Sequence, residues 1–401
     1  MKRRLLPILM TLVLVCALPI WAAFVTSGDV TNPLVSTAGA TLPDLQAKID
    51  AAEDNATITL DSDTTITETL VITGKTLTID LNGHVLKMTG DGSVLRVSDR
   101  ATLTITDSRP QNPHTGSYAG LPAGGVITGG KADKGGGILL AGGCTLKLTG
   151  GCITDCHATD TGGGGVVLNG DTAILYMSGT ARIENCTAGE TWGANAIFNS
   201  GTMYADGGTV DGTVNNQGTI RLSEGAAAET VFNGTVYNRS AGTIKAGRYN
   251  ETVENRGTIT GGIFYGGVTN DGGKINDGAY ETVTFNSDGG TPVEEAKVLR
   301  GQKVAKPTDD PTKSGYTFTG WEDANGAGAY DFNTPVIAPL TLTAKWEKNP
   351  SSGGYYYYPT PDTKADDVKG SPKTADPGVA LYAALSLLSL TGMVALNGKK
   401  R

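Results

Sequence analysis

From Gly137 onward the chain repeats itself. The segment GILLAGGCTLKLTGGCITDC at 137–156 aligns with GVVLNGDTAILYMSGTARIENC at 165–186. Gly137 meets Gly165, Leu140 meets Leu168, Leu146 and Leu148 meet Leu175 and Met177, and Cys156 meets Cys186. The offset drifts from 28 to 30 residues, as small turn insertions cause. Farther on the unit shortens. Val214-Asn215-Asn216-Gln217-Gly218-Thr219-Ile220 returns as Val236…Asn238…Gly242-Thr243-Ile244, then as Val253-Glu254-Asn255-Arg256-Gly257-Thr258-Ile259, then as Val268-Thr269-Asn270-Asp271-Gly272. Ile197-Phe198-Asn199-Ser200-Gly201 fits the same frame. So small a unit cannot bury its own apolar face, and neighbouring units must stack.

Within each unit, β-branched and apolar residues alternate between Gly, Asn and Asp turns, which is a strand pattern. The same pattern fills 57–60, 64–66, 69–72, 76–81, 94–97 and 102–106. Short strands repeating at this interval predict a parallel β-solenoid over 41–279, with coils about 4.8 Å apart and apolar residues inward. The asparagines at one fixed place, Asn199, Asn216, Asn238, Asn255 and Asn270, predict a ladder of side-chain amides, because Asn tolerates left-handed turns and satisfies turn backbone. Ahead of the strands, 41–54 puts Leu42, Leu45, Ile49 and Ala52 on one helical face, with Thr41 as N-cap and Pro43 and Asp44 in the first turn. This helix is expected to cap the open apolar end of the first coil.

The region 41–279 resembles the pectate-lyase-like right-handed β-helix superfamily, through its repeats and through Asp80-Leu81-Asn82-Gly83-His84. The resemblance implies an all-β, right-handed coil, the hand that parallel crossovers favour. It does not choose a function, since that fold carries both polysaccharide enzymes and adhesins. The candidate catalytic residues are Asp155, His157, Asp160 and Glu184. Asp155 aligns with Asn185 one coil on, which sets Asp155 and Glu184 about 5 Å apart, the spacing of a retaining glycosidase pair. Any two stacked turn residues share that spacing, and the Asn-Thr-Asp, Asp-Asp, Gly-His-Gly and Arg-Ile-Lys signatures of polygalacturonases are missing. The reading is therefore solvated turn residues, with no catalytic, metal or cofactor assignment. Cys152 and Cys156-His157 lack the second spaced pair of a zinc site. Cys156 and Cys186 fall in register on adjacent coils, which fits either a disulfide or a stack of inward thiols. His84 and His114 receive no role.

Repetition stops at Tyr280, and a second domain spans 280–347. Residues 282–347 resemble the Listeria–Bacteroides repeat, the B-repeat of internalins. The resemblance rests on Phe285, Gly289-Gly290, Gly301, Pro307, Pro311, Gly315-Tyr316, Phe318, Gly320-Trp321, Tyr330, Phe332, Leu342 and Ala344-Lys345-Trp346. It implies a small β-grasp-like module of extracellular bacterial proteins. So short a domain needs its aromatics inside, and Trp321, Phe318 and Trp346 are expected in the core.

The two ends point out of the cell. Lys2, Arg3 and Arg4 precede an uncharged apolar run, the pattern of a signal peptide over 1–23, followed by a linker at 24–40. Residues 348–370 are a Pro-, Gly- and Ser-rich spacer. The segment 371–401 holds Ser371-Pro372-Lys373-Thr374-Ala375, an apolar span at 378–396, and Lys399, Lys400 and Arg401. That span has the length of a transmembrane helix, and the basic tail marks the inner side. The arrangement resembles the sortase-type cell-wall sorting signal of Gram-positive surface proteins. It implies processing at Pro372, Lys373, Thr374 and Ala375, with sortase and peptidoglycan as partners. Ser371 and Ala375 depart from the family's Leu and Gly.

Without Lys2, Arg3 and Arg4, and without Asp376, Lys399, Lys400 and Arg401, 26 basic and 39 acidic residues remain, a net of −13. So acidic an ectodomain argues against nucleic acid or anionic lipid as main partner. The expectation is a non-enzymatic structural or adhesive protein at the surface of a Gram-positive-type cell, binding glycan or protein. The alternative is a wall-anchored polysaccharide lyase or glycoside hydrolase.

Overall fold

The structure, a computed structural model, describes residues 45–160, 162–189, 193–324 and 328–350. The leader, the linker, Thr41 to Asp44 of the predicted cap, the sorting segment and the span 378–396 lie outside the described residues. Among the described residues no helix is long and apolar enough to cross a membrane.

The repeats stack as parallel strands. One ladder runs from Ala56–Thr59 through Thr76–Asp80, Thr102–Thr106 and Thr145–Leu148 to Lys274–Ile275. A second starts at Thr64–Ile66 and ends at Ile263–Phe264. The strands Ile174–Glu184 and Thr202–Val210 run through the corner and fuse the two into a 17-stranded sheet. A 9-stranded sheet from Leu70–Thr73 to Val268–Asn270 closes the other side. The alignment read from the sequence is the register found. Leu140 pairs with Leu168, Leu146 with Leu175 and Leu148 with Met177. Inward residues follow one another along the axis, as in Leu77, Leu103, Leu146, Leu175, Met203, Ile220, Ile244 and Ile259, all fully buried. Each coil thus closes its neighbour's core, which none could do alone. Near the C-terminal end the lumen fills with stacked rings, Phe232 on Tyr249 at 4.9 Å and Tyr249 on Phe264 at 5.1 Å.

The asparagine ladder forms as predicted. Asn199 Nδ2 donates to Asn216 Oδ1 at 2.7 Å, Asn216 to Asn238 at 2.7 Å, Asn238 to Asn255 at 2.7 Å, and Asn255 to Asn270 at 2.6 Å. Four of the five are fully buried, and Asn270 closes the ladder at the surface. The second amide proton reaches a backbone carbonyl of the next coil, as from Asn199 to Thr219 O at 3.3 Å.

A helix at Leu45–Ala51 covers the first coil, its described part shorter than the predicted 41–54. Leu45 and Ile49 are buried in the solenoid core. Gln46 makes to Val71 the kind of hydrogen bonds that strands of adjacent coils make to each other. Its Nε2 donates to Val71 O at 3.0 Å and its Oε1 accepts from Val71 N at 2.8 Å. Lys75 Nζ donates to the carbonyls of Ile49, Asp50 and Ala52 at 3.0, 3.0 and 2.8 Å. A cation thus sits where helix carbonyls are unpaired and the dipole is negative.

The second domain is a 4-stranded sheet in the order Ala296–Leu299, Tyr280–Asn286, Leu340–Lys348, Tyr316–Asp323. Its central pair is parallel, and both outer pairings are antiparallel. Trp321 is 2% exposed, edge-on to Phe285 at 5.0 Å and Phe318 at 5.4 Å. Trp321→Ala is expected to cost about 3–5 kcal/mol, as loss of a buried aromatic does. Chemical denaturation followed by far-UV dichroism checks it. Ready quenching of Trp321 by iodide in the folded protein would contradict the core placement.

The sequence separates this domain from the solenoid, but the structure joins them. Arg300 N donates to Ala279 O at 2.9 Å, and Phe264 N donates to Arg300 O at 2.8 Å. Gln302 Nε2 donates to the carbonyls of Phe264 and Tyr265. Gly301, at φ 94°, lies so close that a Cβ would fall 2.7 Å from Phe264 N. Arg300 also pairs at 2.6 Å with Glu281, whose side chain is 7% exposed. The 300–302 segment therefore does for the last coil what Gln46 does for the first.

Candidate functional site

The register sets Glu184 opposite Thr154 and His157 opposite Thr187, so Asp155 faces Asn185 and Cys156 faces Cys186. Asp155 and Asn185 both adopt φ 51° and form stacked left-handed corners. Asp155 and Glu184 thus sit diagonally on adjacent coils. Asp155 is exposed, while Glu184 is half-buried and lies 3.8 Å from Arg182 Nη1. His157 Nδ1 lies 2.8 Å from Thr187 Oγ1. Asp160 is exposed, and its amide donates to Asp133 O at 3.1 Å. Arg182 reaches Glu184 and, through Nη2, Ala123 O at 3.1 Å, while His157 turns to Thr187. Among the described residues no group of three or more His, Cys, Asp or Glu is placed to hold a metal ion.

The cysteines divide by the face they occupy. Cys152 is packed with Val85 and Val126 beneath Tyr118 and Leu121, apart from the lumen. Cys156 and Cys186 point into the core on successive coils, with Sγ atoms toward Thr154 O at 3.4 Å and Ile153 O at 3.7 Å. Cys144, Cys152, Cys156 and Cys186 all stand as buried free thiols. Burial pushes the Cys152 thiol far up. The hydrogen bond with Cys186, and then burial, raise Cys156 as well. Neither is a thiolate nucleophile near neutral pH.

Two surface features are built from residues other than the acidic candidates. Between the strands Thr102–Thr106 and Val126–Thr128 the chain makes its long excursion, which Asp107 pins by accepting from Gly83 N at 2.7 Å and Gly125 N at 2.6 Å. Beside it runs a groove of about 560 Å3, with Gly151, Gly179 and Gly207 among its lining and Arg182 and Glu229 at its sides. The second feature is an outward stripe in which Lys147, Tyr176, Tyr204 and Arg221 follow one another in register. The two tyrosine rings stack at 4.4 Å and 4°, and the Arg221 guanidinium lies 5.4 Å over Tyr204. Burial and then the neighbouring Tyr204 hold the Tyr176 hydroxyl above its ordinary pKa. The signal was present in the sequence, since each of the four follows an inward residue, Leu146, Leu175, Met203 or Ile220.

Comparison with known proteins bears on the C-terminal sheet. Residues 282–345 match the family model of the Listeria-Bacteroides repeat domain. This repeat is therefore the module that closes the solenoid's last coil. Two proteins of Evansella cellulosilytica are similar over 70 residues. One, provisionally named a Gly-rich membrane protein, is 40% identical over 17% of this chain and 8% of its own length. The other, provisionally named a membrane protein, is 39% identical over 17% of this chain and 10% of its own length. The chain thus matches about a tenth of the length of these relatives. No solved structure matches the chain.

Proposed function

We propose that this chain is an exported, non-enzymatic surface protein whose capped β-helix presents its outward ladders to an extracellular glycan or protein. One observation carries the reading. The outward ladders hold aromatic and charged side chains in register along the axis, as in Lys147, Tyr176, Tyr204 and Arg221, whereas among the acidic candidates Asp155 is exposed at its corner and Glu184 lies beside Arg182. The Listeria–Bacteroides repeat supports a place at the cell envelope. The leader 1–23, the Pro372-Lys373-Thr374-Ala375 segment and the span 378–396 support wall attachment. In that scheme a sortase cysteine attacks the Thr374 carbonyl, the Thr374–Ala375 bond breaks and releases 375–401 with a free Ala375 amine, and a peptidoglycan amine then takes the acyl group and displaces the cysteine thiol. The coil is taken as right-handed, as parallel crossovers favour.

An array of glycans and extracellular proteins probed with residues 24–370 tests the binding role. Retained ligand with no product supports it. Product release that Glu184→Gln abolishes would instead favour a lyase or hydrolase. Export would also put Cys156 and Cys186 in oxidising surroundings, where the facing thiols close as a cross-coil disulfide by exchange with an oxidised dithiol. Alkylation of the unfolded surface protein should then label only Cys144 and Cys152. Labelling of all four cysteines would contradict the bridge.

A further inference from the structure

We infer that the leading edge of the first coil is a docking surface for the chain's own residues 35–42, which add a strand to Ala56–Thr59. The core is unfinished at this edge. The strand Thr102–Thr106 is paired on both sides, by Thr76–Asp80 and Thr145–Leu148. Among the described residues Ala56–Thr59 pairs only with Thr76–Asp80, and Thr64–Ile66 only with Val85–Met88. Leu77 and Ile79 are buried, as are Leu103 and Ile105 one coil on. Ala56 and Ile58 hold the same inward positions, in register with Leu77 and Ile79, yet they are only half-buried.

The cap helix does not close this side. Gln46 holds it over Val71 in the facing sheet. Between Leu45 and the first coil remains a hollow of about 160 Å3, with Ile58, Leu60 and Thr64 among its lining. A strand edge with a free side, next to half-buried apolar residues, is a template for another strand.

The coil-to-coil count selects what fits there. Val71 pairs with Arg96, 25 residues on, and Gln46, which bonds to Val71, lies 25 residues before it. The count therefore continues upstream of the first coil. In the ladder led by Ala56 the first step is 21 residues, from Ala56 to Leu77. The same step back from Ala56–Thr59 reaches Val35-Ser36-Thr37-Ala38. That register sets Val35 and Thr37 over Ala56 and Ile58, and Ser36 beside the exposed Thr57. Both inward residues are β-branched, as a strand favours. In the ladder led by Thr64 the first step is 22 residues, from Thr64 to Leu86. That step back reaches Leu42, above Thr64 at the hollow. Residues 39–44 join this strand to Leu45 and can span about 20 Å, twice the spacing of facing sheets. Docking here buries the apolar surface and blocks end-to-end pairing with a second copy, which a free edge invites. The inference does not rest on the proposed binding role.

The test is the double variant Ser36→Cys with Thr57→Cys, made in the full-length protein, oxidised with glutathione disulfide and read by peptide mapping. Adjacent coils bring such a pair to about 5 Å between Cα atoms, within disulfide reach. An intramolecular 36–57 bridge is expected to form about tenfold or more faster than the bridge in Val35→Cys with Thr57→Cys, because only a slip of one residue would turn Val35 to that face. Hydrogen exchange gives a second readout. Leu42→Asp should speed exchange of the amides at 56–59 about tenfold or more, while Val25→Asp, upstream of the docked segment, should leave it unchanged. Far-UV dichroism verifies each variant's fold, and Leu42→Ser replaces Leu42→Asp if the latter fails to fold. No 36–57 bridge, equal bridging by the 35–57 pair, a bridge between two molecules in its place, or unchanged exchange at 56–59 in the Leu42 variant would overturn the inference.

Discussion

Asn216→Leu is expected to destabilise the solenoid by about 4 kcal/mol, because it orphans two buried groups that cost about 1–3 kcal/mol each. Asn216 is fully buried at the middle of the ladder. Its Oδ1 accepts from Asn199 and its Nδ2 donates to Asn238, both at 2.7 Å. Leucine nearly matches its volume, so little of the loss comes from a cavity. What remains is Asn199 with an unanswered N–H and Asn238 with an unanswered carbonyl, both in the dry corner of the coil. Asn270→Ala at the exposed end provides the contrast, since water replaces the lost bond there, and about 1 kcal/mol is expected. Urea midpoints of the two variants check the gradient. Equal, small shifts would mean the amides are not coupled along the axis.

Gly218→Ala is expected to cost about 3 kcal/mol or more, although alanine is the smallest side chain that could be added. The reason is the stacking of coils and not backbone strain. A Cβ at Gly218 would fall 2.0 Å from Gly201 O, and one at Gly257 would fall 2.2 Å from Gly242 O. These are backbone carbonyls of the preceding coil, so no side chain can swing away. Gly225 is the control. It has φ 75° and nothing within 4 Å of its added Cβ, so Gly225→Ala costs only the strain of a left-handed alanine, about 1–2 kcal/mol. If thermal unfolding ranked Gly225→Ala as the more damaging, the close approach of the coils would be wrong.

The asparagine and glycine at each corner explain how much of this fold was legible. Both recur in the sequence because every coil meets the same constraint, so self-similarity alone gives the register. The cap helix was legible from its apolar face at Leu45 and Ile49. The other contacts at the two ends were not. Gln46 pairs with Val71, and Gln302 with Phe264, once each, and a contact made once leaves no period to read. For the same reason the contacts of the repeat module with the last coil leave no period in the sequence. The long excursion after Asp107 and the groove beside it are likewise unique to one coil. The acidic candidates were read from alignment alone, which gives the coil-to-coil neighbour but not the direction of a side chain. Asp155 turned outward at its left-handed corner, while Glu184 lay along the sheet beside Arg182.

The proposed display outside the cell depends on attachment through Thr374. Mass spectrometry of the protein released from intact walls by a muralytic enzyme tests it most directly. The expected result is a C-terminal peptide that ends at Thr374 and carries a peptidoglycan fragment on its carbonyl. Recovery of the uncleaved Ala375 to Arg401 segment in the membrane fraction, with no wall-linked Thr374, would contradict it.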